Sequence, residues 1–192
     1  MQRLIHGLEA RLTWTSAALG FGVIVLSNVV MAGYLLPSIE ARRPQALDDG
    51  FLRMIDLAPL RPAADVYAIF DLYTPDILGY VRMLYAVDFV FPAGFALVAA
   101  VLIHKLLRYL GVTEGAWRAA VLVPFAALPF DYIENVFALV LSSLYQGGAV
   151  YPTLALVAGV ATALKFACLI VSGLTLVTLL IRAVARRFSS RA

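Results

Sequence analysis

Charged residues are scarce in this sequence. Asp, Glu, Lys and Arg together make up 14% of the 192 residues, whereas hydrophobic residues make up 62%. Soluble domains are roughly 45–50% apolar and about 25% charged. Together with a mean hydropathy of +0.90, this composition excludes an ordinary soluble domain. It indicates an integral membrane protein, with room for about four spans of roughly 20 residues each.

Cysteine and histidine are almost absent. The single cysteine, Cys168, excludes an intrachain disulfide, and its apolar surroundings are typical of a small packing residue. The only histidines, His6 and His104, fall on one predicted side of the membrane, away from the intramembrane acids, which argues against a histidine-ligated metal. The sequence also has no Walker loop, no dinucleotide fingerprint and no HExxH motif.

The long apolar runs predict an all-α fold, a four-helix transmembrane bundle that forms one domain over residues 1–192. The predicted spans cover about 12–36, 79–108, 117–145 and 152–182. Residues 37–78 contain five prolines and many acids, so they are predicted to form a long, partly helical extracytoplasmic loop. Two amphipathic patches in it, Phe51–Leu57 and Val66–Tyr73, predict short interfacial helices.

The basic residues follow membrane topology rather than a surface for nucleic acid, so no nucleic-acid partner is expected. The two chain ends and the 105–118 turn carry nine Lys and Arg against two acids, whereas residues 40–79 carry four Arg against seven acids. The positive-inside rule then predicts an inner-membrane protein with both termini cytoplasmic. A signal peptide cleaved near Val30-Met31-Ala32 is the competing interpretation of the first apolar run.

Three polar residues at helical spacing interrupt the third span. Asp131, Glu134 and Asn135 are three and four residues apart and therefore share one face of a helix. An acid in lipid costs a few kcal/mol or more, so it normally faces a protein interior or a water-filled cavity. Lys165 lies at the same depth as Asp131, since each is fourteen residues from an interfacial tyrosine, about 21 Å along a helix. This agreement predicts an Asp131–Lys165 ion pair.

Further polar residues at similar depths extend this site to all four spans. The predicted binding residues are Asn28, Arg82, Tyr85, Asp88, Asp131, Glu134, Asn135 and Lys165. If all groups were ionised, the three acids with Lys165 and Arg82 would sum to −1, or to −2 if Arg82 does not reach them. Such an excess predicts a protonated carboxyl or a bound cation.

Two acids are candidates for chemistry at this site. Glu134 and Asp88 are the candidate catalytic acid/base residues, and Glu134 is predicted to be the more available, nearer the outside. If a metal binds, its oxygen ligands would come from Asp88, Asp131 and Glu134. Pro124 and Pro129 predict broken backbone bonding just before these acids.

Part of the pattern resembles a known family. Residues 79–92 contain Gly-x-x-Arg-x-x-Tyr-x-x-Asp followed by a proline, and residues 131–135 read Asp-x-x-Glu-Asn. Over about residues 70–140 this is similar to a family of small four-span bacterial integral membrane proteins with no assigned activity. The resemblance implies a four-span protein with these polar residues as its signature; Lys165 is outside it.

Several functions remain open from the sequence. The first is an outward-opening intramembrane site that binds a small amphiphile, a lipid headgroup or a cation, with the 40–79 loop as its gate. The second is a membrane-embedded enzyme that acts on a lipid-borne substrate by carboxylate acid/base chemistry. A proton-coupled transporter subunit and a structural membrane subunit are the others. The lipid bilayer is the one firm partner, and a homo-oligomer is left open.

Overall fold

The computed structural model describes residues 2–42, 60, 62–71, 73–112 and 114–189. Within these ranges the chain is 87% helical and contains no strand. Four helical segments are long and apolar enough to cross a membrane: Trp14–Glu40, Pro75–Tyr109, Trp117–Gln146 and Pro152–Ser189. The predicted all-α, four-span bundle is therefore confirmed, and these segments are called spans 1 to 4.

Span 1 follows a short amphipathic helix and is helical throughout. Helix α1 covers Gln2–Glu9. Helix α2, Trp14–Val30, begins at a capping box between Thr13 and Ser16. It continues through a π-helical stretch, Met31–Leu35, into α3, Leu36–Glu40.

Span 2 is broken near its middle. Helix α5, Pro75–Asp88, is capped at its start by Thr74. Helix α6, Phe91–Tyr109, has Pro92 in its first turn. Because Pro92 has no amide proton for the carbonyl of Asp88 four residues earlier, the first helix ends at Asp88. The break at this proline therefore places an acid at a helix terminus inside the membrane.

Span 3 changes helix type just before its acids. A 3₁₀ helix covers Ala116–Ala127 and contains Pro124, and α7 covers Leu128–Gln146 with Pro129 in its first turn. Long 3₁₀ runs are uncommon, because their hydrogen-bond geometry is poorer than that of an α-helix. The change to α-helix puts Asp131 in the first turn of α7, where the helix dipole favours a negative charge.

Span 4 is one continuous helix, α8, Pro152–Ser189. Ahead of span 2, helix α4 covers Ala63–Asp71, and its apolar face is buried by other helices. It overlaps the predicted Val66–Tyr73 helix but packs on protein, and the hydroxyl of its Tyr67 accepts a 2.7 Å hydrogen bond from the Tyr151 amide. The predicted Phe51–Leu57 helix lies outside the described residues.

Two apolar clusters of buried residues mark the two ends of the bundle. The loop side is the end that carries α4, and the terminal side is the end that carries α1 and the C-terminal end of α8. The loop-side cluster joins α4 and the neighbouring turns of α5, α7 and α8, including Phe70, Leu84 and Leu141. The terminal-side cluster joins α1, α6, the 3₁₀ helix and α8. The intramembrane acids lie between these two clusters.

Span 1 is attached to span 2 by a close backbone contact. A Cβ built on Gly94 would lie 2.8 Å from the carbonyl oxygen of Gly20, and one built on Gly20 would lie 2.8 Å from that of Gly94. No side chain fits at that distance, so the two glycines permit the approach. Spans 2, 3 and 4 form the rest of the bundle around the acids.

Candidate functional site

The centre of the site is one lysine shared by two carboxylates. Lys165 Nζ lies 3.3 Å from Asp131 Oδ1 and also contacts Glu134 Oε2. The three residues are 8%, 5% and 1% exposed respectively, so the cluster is enclosed by protein. The predicted Asp131–Lys165 pair is present, and Glu134 is a second partner of the same ammonium. Because the two acids lie one turn apart on α7, a single lysine on α8 ties the two helices together.

A buried asparagine connects this cluster to span 2. Asn135 Nδ2 donates hydrogen bonds of 3.2 Å to Asp131 Oδ2 and of 3.2 Å to Asp88 Oδ2. Asn135 is fully buried. An amide with two protons suits this position, since it can serve two carboxylates on different helices at once. Asp88, Asp131, Glu134, Asn135 and Lys165 thus form one polar network, as their common depth predicted.

The network has a member that the sequence interpretation missed. The Thr162 hydroxyl donates to Glu134 Oε1 at 2.5 Å and also lies 3.0 Å from the carbonyl oxygen of Ala158. Thr162 is three residues before Lys165 on α8, so both reach the same face of α7. The three-residue spacing from Lys165 could have predicted that Thr162 belongs to the network. Threonine is common in membrane helices, however, so its presence alone does not indicate a site. Its hydroxyl binds Glu134 Oε1, whereas Lys165 Nζ contacts Glu134 Oε2.

Two predicted binding residues, Arg82 and Asn28, make their hydrogen bonds away from this network. Arg82 donates to the Ser142 carbonyl oxygen at 2.9 Å and to Gln146 Oε1 at 2.6 Å, near the end of α7. It therefore satisfies the end of a helix and is directed away from the acids. Tyr85 is buried in the loop-side apolar cluster. Asn28 is exposed and donates to the Ile24 carbonyl oxygen of its own helix.

An apolar cavity of about 310 Å³ opens beside the polar network. Asp88, Asp131 and Lys165 line one end of it. The remaining lining residues are apolar: Phe91, Pro92, Phe95, Pro124, Ala127, Leu128, Phe166 and Leu169. They come from spans 2, 3 and 4, and the two span-3 residues before α7 belong to the 3₁₀ segment. Span 3 thus supplies part of the cavity wall through its 3₁₀ segment and the Asp131 carboxylate at the polar end of the cavity.

The cavity extends toward the terminal side of the bundle. Starting from its three polar residues, every apolar lining residue lies farther toward that side along its own span. In the other direction the loop-side cluster packs against the network. The predicted outward opening is therefore not supported, because packed side chains of α4, α5, α7 and α8 fill that path. Phe95 is 42% exposed, so the cavity wall reaches the surface of the bundle at this residue.

Glu134 is less available than predicted. It does not line the cavity, and at 1% exposure it is the most enclosed of the three acids. Lys165 and Thr162 occupy its two oxygens. The prediction was wrong because it used depth alone, whereas rotation about the α7 axis turns Glu134 toward α8. Asp88 and Asp131 are the acids that a ligand in the cavity would meet.

The three acids are not grouped as a metal site. Among the described residues no group of three or more His, Cys, Asp or Glu side chains is placed to hold a metal ion. The ligand set of Asp88, Asp131 and Glu134, suggested for the case that a metal binds, is not among such groups and stays a prediction. The ammonium of Lys165 lies between Asp131 and Glu134, where a cation would have to bind.

The fold and the four apolar spans define this chain as a multi-pass, all-α integral membrane protein. Comparisons with protein-family models, with curated proteins and with solved structures found no match to it. Its function is therefore argued from the cavity and the polar network.

Proposed function

We propose that this protein binds one small amphiphile in the cavity between spans 2, 3 and 4. The observation that carries the proposal is the composition of the cavity wall, which is apolar except for Asp88, Asp131 and Lys165 at one end. Ligand sites are typically concave and mostly apolar, with a few polar groups that orient the ligand. An alkyl chain would contact the phenylalanine and leucine side chains, and a polar head would reach the two aspartates.

The size of the cavity limits the ligand. Its volume is about 310 Å³, and a water molecule takes up about 30 Å³ in the liquid, so about ten non-hydrogen atoms fit. That is enough for a short alkyl chain with a small head, or for the head and upper chain of a longer lipid. Because the cavity wall reaches the bundle surface at Phe95, the rest of a longer chain would remain in the bilayer.

The charges at the site favour a cationic or hydrogen-bond-donating head. Asp88, Asp131, Glu134 and Lys165 carry a formal charge of −2 when all four are ionised, by three carboxylates against one ammonium. Arg82, the other cation considered from the sequence, contacts Ser142 and Gln146 instead. Excess negative charge in a medium of low dielectric is costly, and a cationic head beside Asp88 and Asp131 would offset it. An anionic head would add to it.

The test compares alkyl probes that differ only in the head. Purified protein in dodecyl maltoside is melted with octylamine, octanol or octyl sulfate, and the melting temperature is followed by scanning fluorimetry. A ligand at a hundred times its Kd stabilises by about 2.7 kcal/mol, or about 5–10 °C for a chain of this size. We expect such a rise with octylamine, a smaller one with octanol and none with octyl sulfate.

A pair of variants on one helix provides the control. Asp88→Asn removes a carboxylate that lines the cavity, whereas Asp76→Asn removes an exposed carboxylate in the first turn of the same helix α5. We expect the octylamine effect to fall in the first variant and to persist in the second. Equal stabilisation of both variants by octylamine, or an equal response to all three probes, would show that the probes act on the micelle rather than in the cavity.

We further propose the inner membrane as the location, with both termini cytoplasmic, on the basis of the basic residues at the terminal side. The cavity then lies in the cytoplasmic half of the bilayer. We also propose that the polar pattern of residues 79–92 and 131–135 marks a family of small four-span bacterial membrane proteins. Support comes from the structural roles of Asp88, Asp131, Glu134 and Asn135 in one network.

A further inference from the structure

A second cavity, of about 330 Å³, lies at the terminal side of the bundle. It is formed where α1 packs against the end of α6 and the start of the 3₁₀ helix. The lining residues are His6, Glu9, Ala10, His104, Leu107, Arg108, Val112 and Arg118. Unlike the intramembrane cavity, this one is lined by two arginines and two histidines. His104 is nine residues beyond Phe95 on α6, about 14 Å along the helix, so the two cavities are separate.

One wall of this cavity is a fixed ionic pair. Arg118 Nε lies 2.9 Å from both carboxylate oxygens of Glu9, and Arg118 Nη2 also contacts the carboxylate. The same Nη2 lies 2.9 Å from His6 Nδ1. A guanidinium can only donate, so His6 Nδ1 must accept and the ring proton must be on Nε2. The pair therefore positions His6 with an N–H donor on its other nitrogen.

The cavity retains an excess of positive charge. Arg108 lines it, and its exposed side chain makes no hydrogen bond or ion pair with any described residue. Among the lining residues, Arg108 and Arg118 against Glu9 give a formal charge of +1 with both histidines neutral, while Glu114 acts on Arg118 from outside the lining. The unused donors of Arg108, the second terminal nitrogen of Arg118 and the ring N–H of His6 are all suited to an oxyanion.

Neighbouring side chains place this cavity at the level of the lipid headgroups. Three cations lie over aromatic rings close to it: Lys105 is 5.8 Å from the Trp14 ring, Arg182 is 5.7 Å from Trp117, and Arg186 is 5.9 Å from Tyr109. Tryptophan and tyrosine with flanking Lys and Arg are typical of a membrane–water interface. Leu107 and Val112 supply an apolar floor, which suits a ligand with one end in the acyl region.

We propose that this terminal-side cavity binds a phosphate group through Arg108, Arg118 and His6. Arginine is the side chain best matched to phosphate, because its planar fork donates two parallel hydrogen bonds. The phosphate can belong to the headgroup of an anionic lipid or to a soluble phosphate compound, since both present the same oxyanion at this level. The site is independent of the amphiphile cavity.

The experiment has a soluble and a lipid arm. In the first, protein in dodecyl maltoside is titrated with inorganic phosphate at constant ionic strength, and apparent Kd values are obtained from the rise in melting temperature. In the second, protein is placed in nanodiscs of phosphatidylcholine with a minority of phosphatidylglycerol, an anionic lipid of the kind that attracts juxtamembrane cations. The protein is then released and its bound lipid is counted by native mass spectrometry.

The variants are Arg108→Gln and the matched control Lys105→Gln, which removes a cation one turn away that does not line the cavity. Loss of a hydrogen bond to a charged group corresponds to about a tenfold weakening or more. We expect that weakening in Arg108→Gln and little change in Lys105→Gln. A milder variant, Arg108→Lys, keeps the positive charge and should retain part of the affinity for phosphate.

The two arms separate the sources and can refute the proposal. A response to inorganic phosphate supports a soluble ligand, whereas retention of phosphatidylglycerol without such a response supports a lipid headgroup. The proposal is overturned if neither ligand binds, or if Arg108→Gln and Lys105→Gln lose binding equally, because a diffuse basic surface would then account for it.

Discussion

Replacing Lys165 by methionine tests the polar network most simply. Methionine keeps much of the lysine stem but removes the ammonium shared by Asp131 and Glu134. Both carboxylates would then remain enclosed, at 5% and 1% exposure, without the cation between them. Removing one partner of a buried ion pair typically costs about 3–5 kcal/mol. For a chain of this length that corresponds to a fall in melting temperature of about 6–20 °C.

The assay is scanning fluorimetry in dodecyl maltoside with two companion variants. Lys105→Met removes a half-buried lysine that lies over the Trp14 ring, a contact that contributes about 0.5–1 kcal/mol, so its melting temperature should change by a few degrees at most. The double variant Lys165→Met with Glu134→Gln removes one of the stranded charges and should recover part of the loss. Such a rescue is evidence of coupling between the two sites.

Two outcomes would show that Lys165 does not hold the two carboxylates in place. If Lys165→Met melts within about 2 °C of Lys105→Met, a shift worth roughly 1 kcal/mol or less, the lysine is not holding two enclosed carboxylates. If the double variant is less stable than Lys165→Met by the full cost of a second independent substitution, the two residues are not coupled.

Two further predictions concern how the remaining helices are attached. Gly94→Ala should destabilise the protein by about 1–3 kcal/mol, because its Cβ would lie 2.8 Å from the Gly20 carbonyl oxygen. The control is Gly22→Ala, whose new Cβ has no atom within 4 Å. Its melting temperature should be unchanged or slightly raised. The hydrogen bonds from Arg118 lower the pKa of Glu9 below its ordinary value of 4.5. The Glu9–Arg118 pair therefore stabilises the packing of α1 at neutral pH. This stabilisation is lost as the pH falls below 4.5 and through the lowered pKa of Glu9. The rate of proteolysis within α1, followed from pH 7 to pH 3, should rise in the wild-type protein on acidification as α1 is released. In Glu9→Gln, α1 is already weakened at pH 7, so the rate of cleavage should depend much less on pH. Identical pH profiles for the two proteins would contradict this role of the Glu9–Arg118 pair.

The fold followed from the sequence because hydrophobic length is the dominant constraint in lipid. A backbone inside the bilayer must satisfy its own hydrogen bonds, so each long apolar run can only be a helix. The irregular helix that contains Pro124 and ends just before Pro129 followed from the missing amide protons of proline. Depth counted along these helices was sufficient to predict that Asp131 and Lys165 lie at the same level.

The details of the site did not follow, because depth does not fix rotation about a helix axis. Arg82 and Asp88 lie on the same helix, yet the first reaches Ser142 and Gln146 and the second meets Asn135. Which acid faces the cavity depends on how α7 and α8 pack, and that packing turns Glu134 toward Thr162. The direction of the opening was also inaccessible, since it depends on the loop-side cluster closing one end.

Binding of octylamine to a cavity-filling variant is the sharpest test of a ligand site between spans 2, 3 and 4. Ala127 is 4% exposed and lines the cavity, whereas the adjacent Ala126 is exposed and does not. We expect that octylamine no longer raises the melting temperature of Ala127→Phe, or of the milder Ala127→Leu, and still raises that of Ala126→Phe. Undiminished stabilisation of both Ala127 variants would contradict a ligand site between spans 2, 3 and 4.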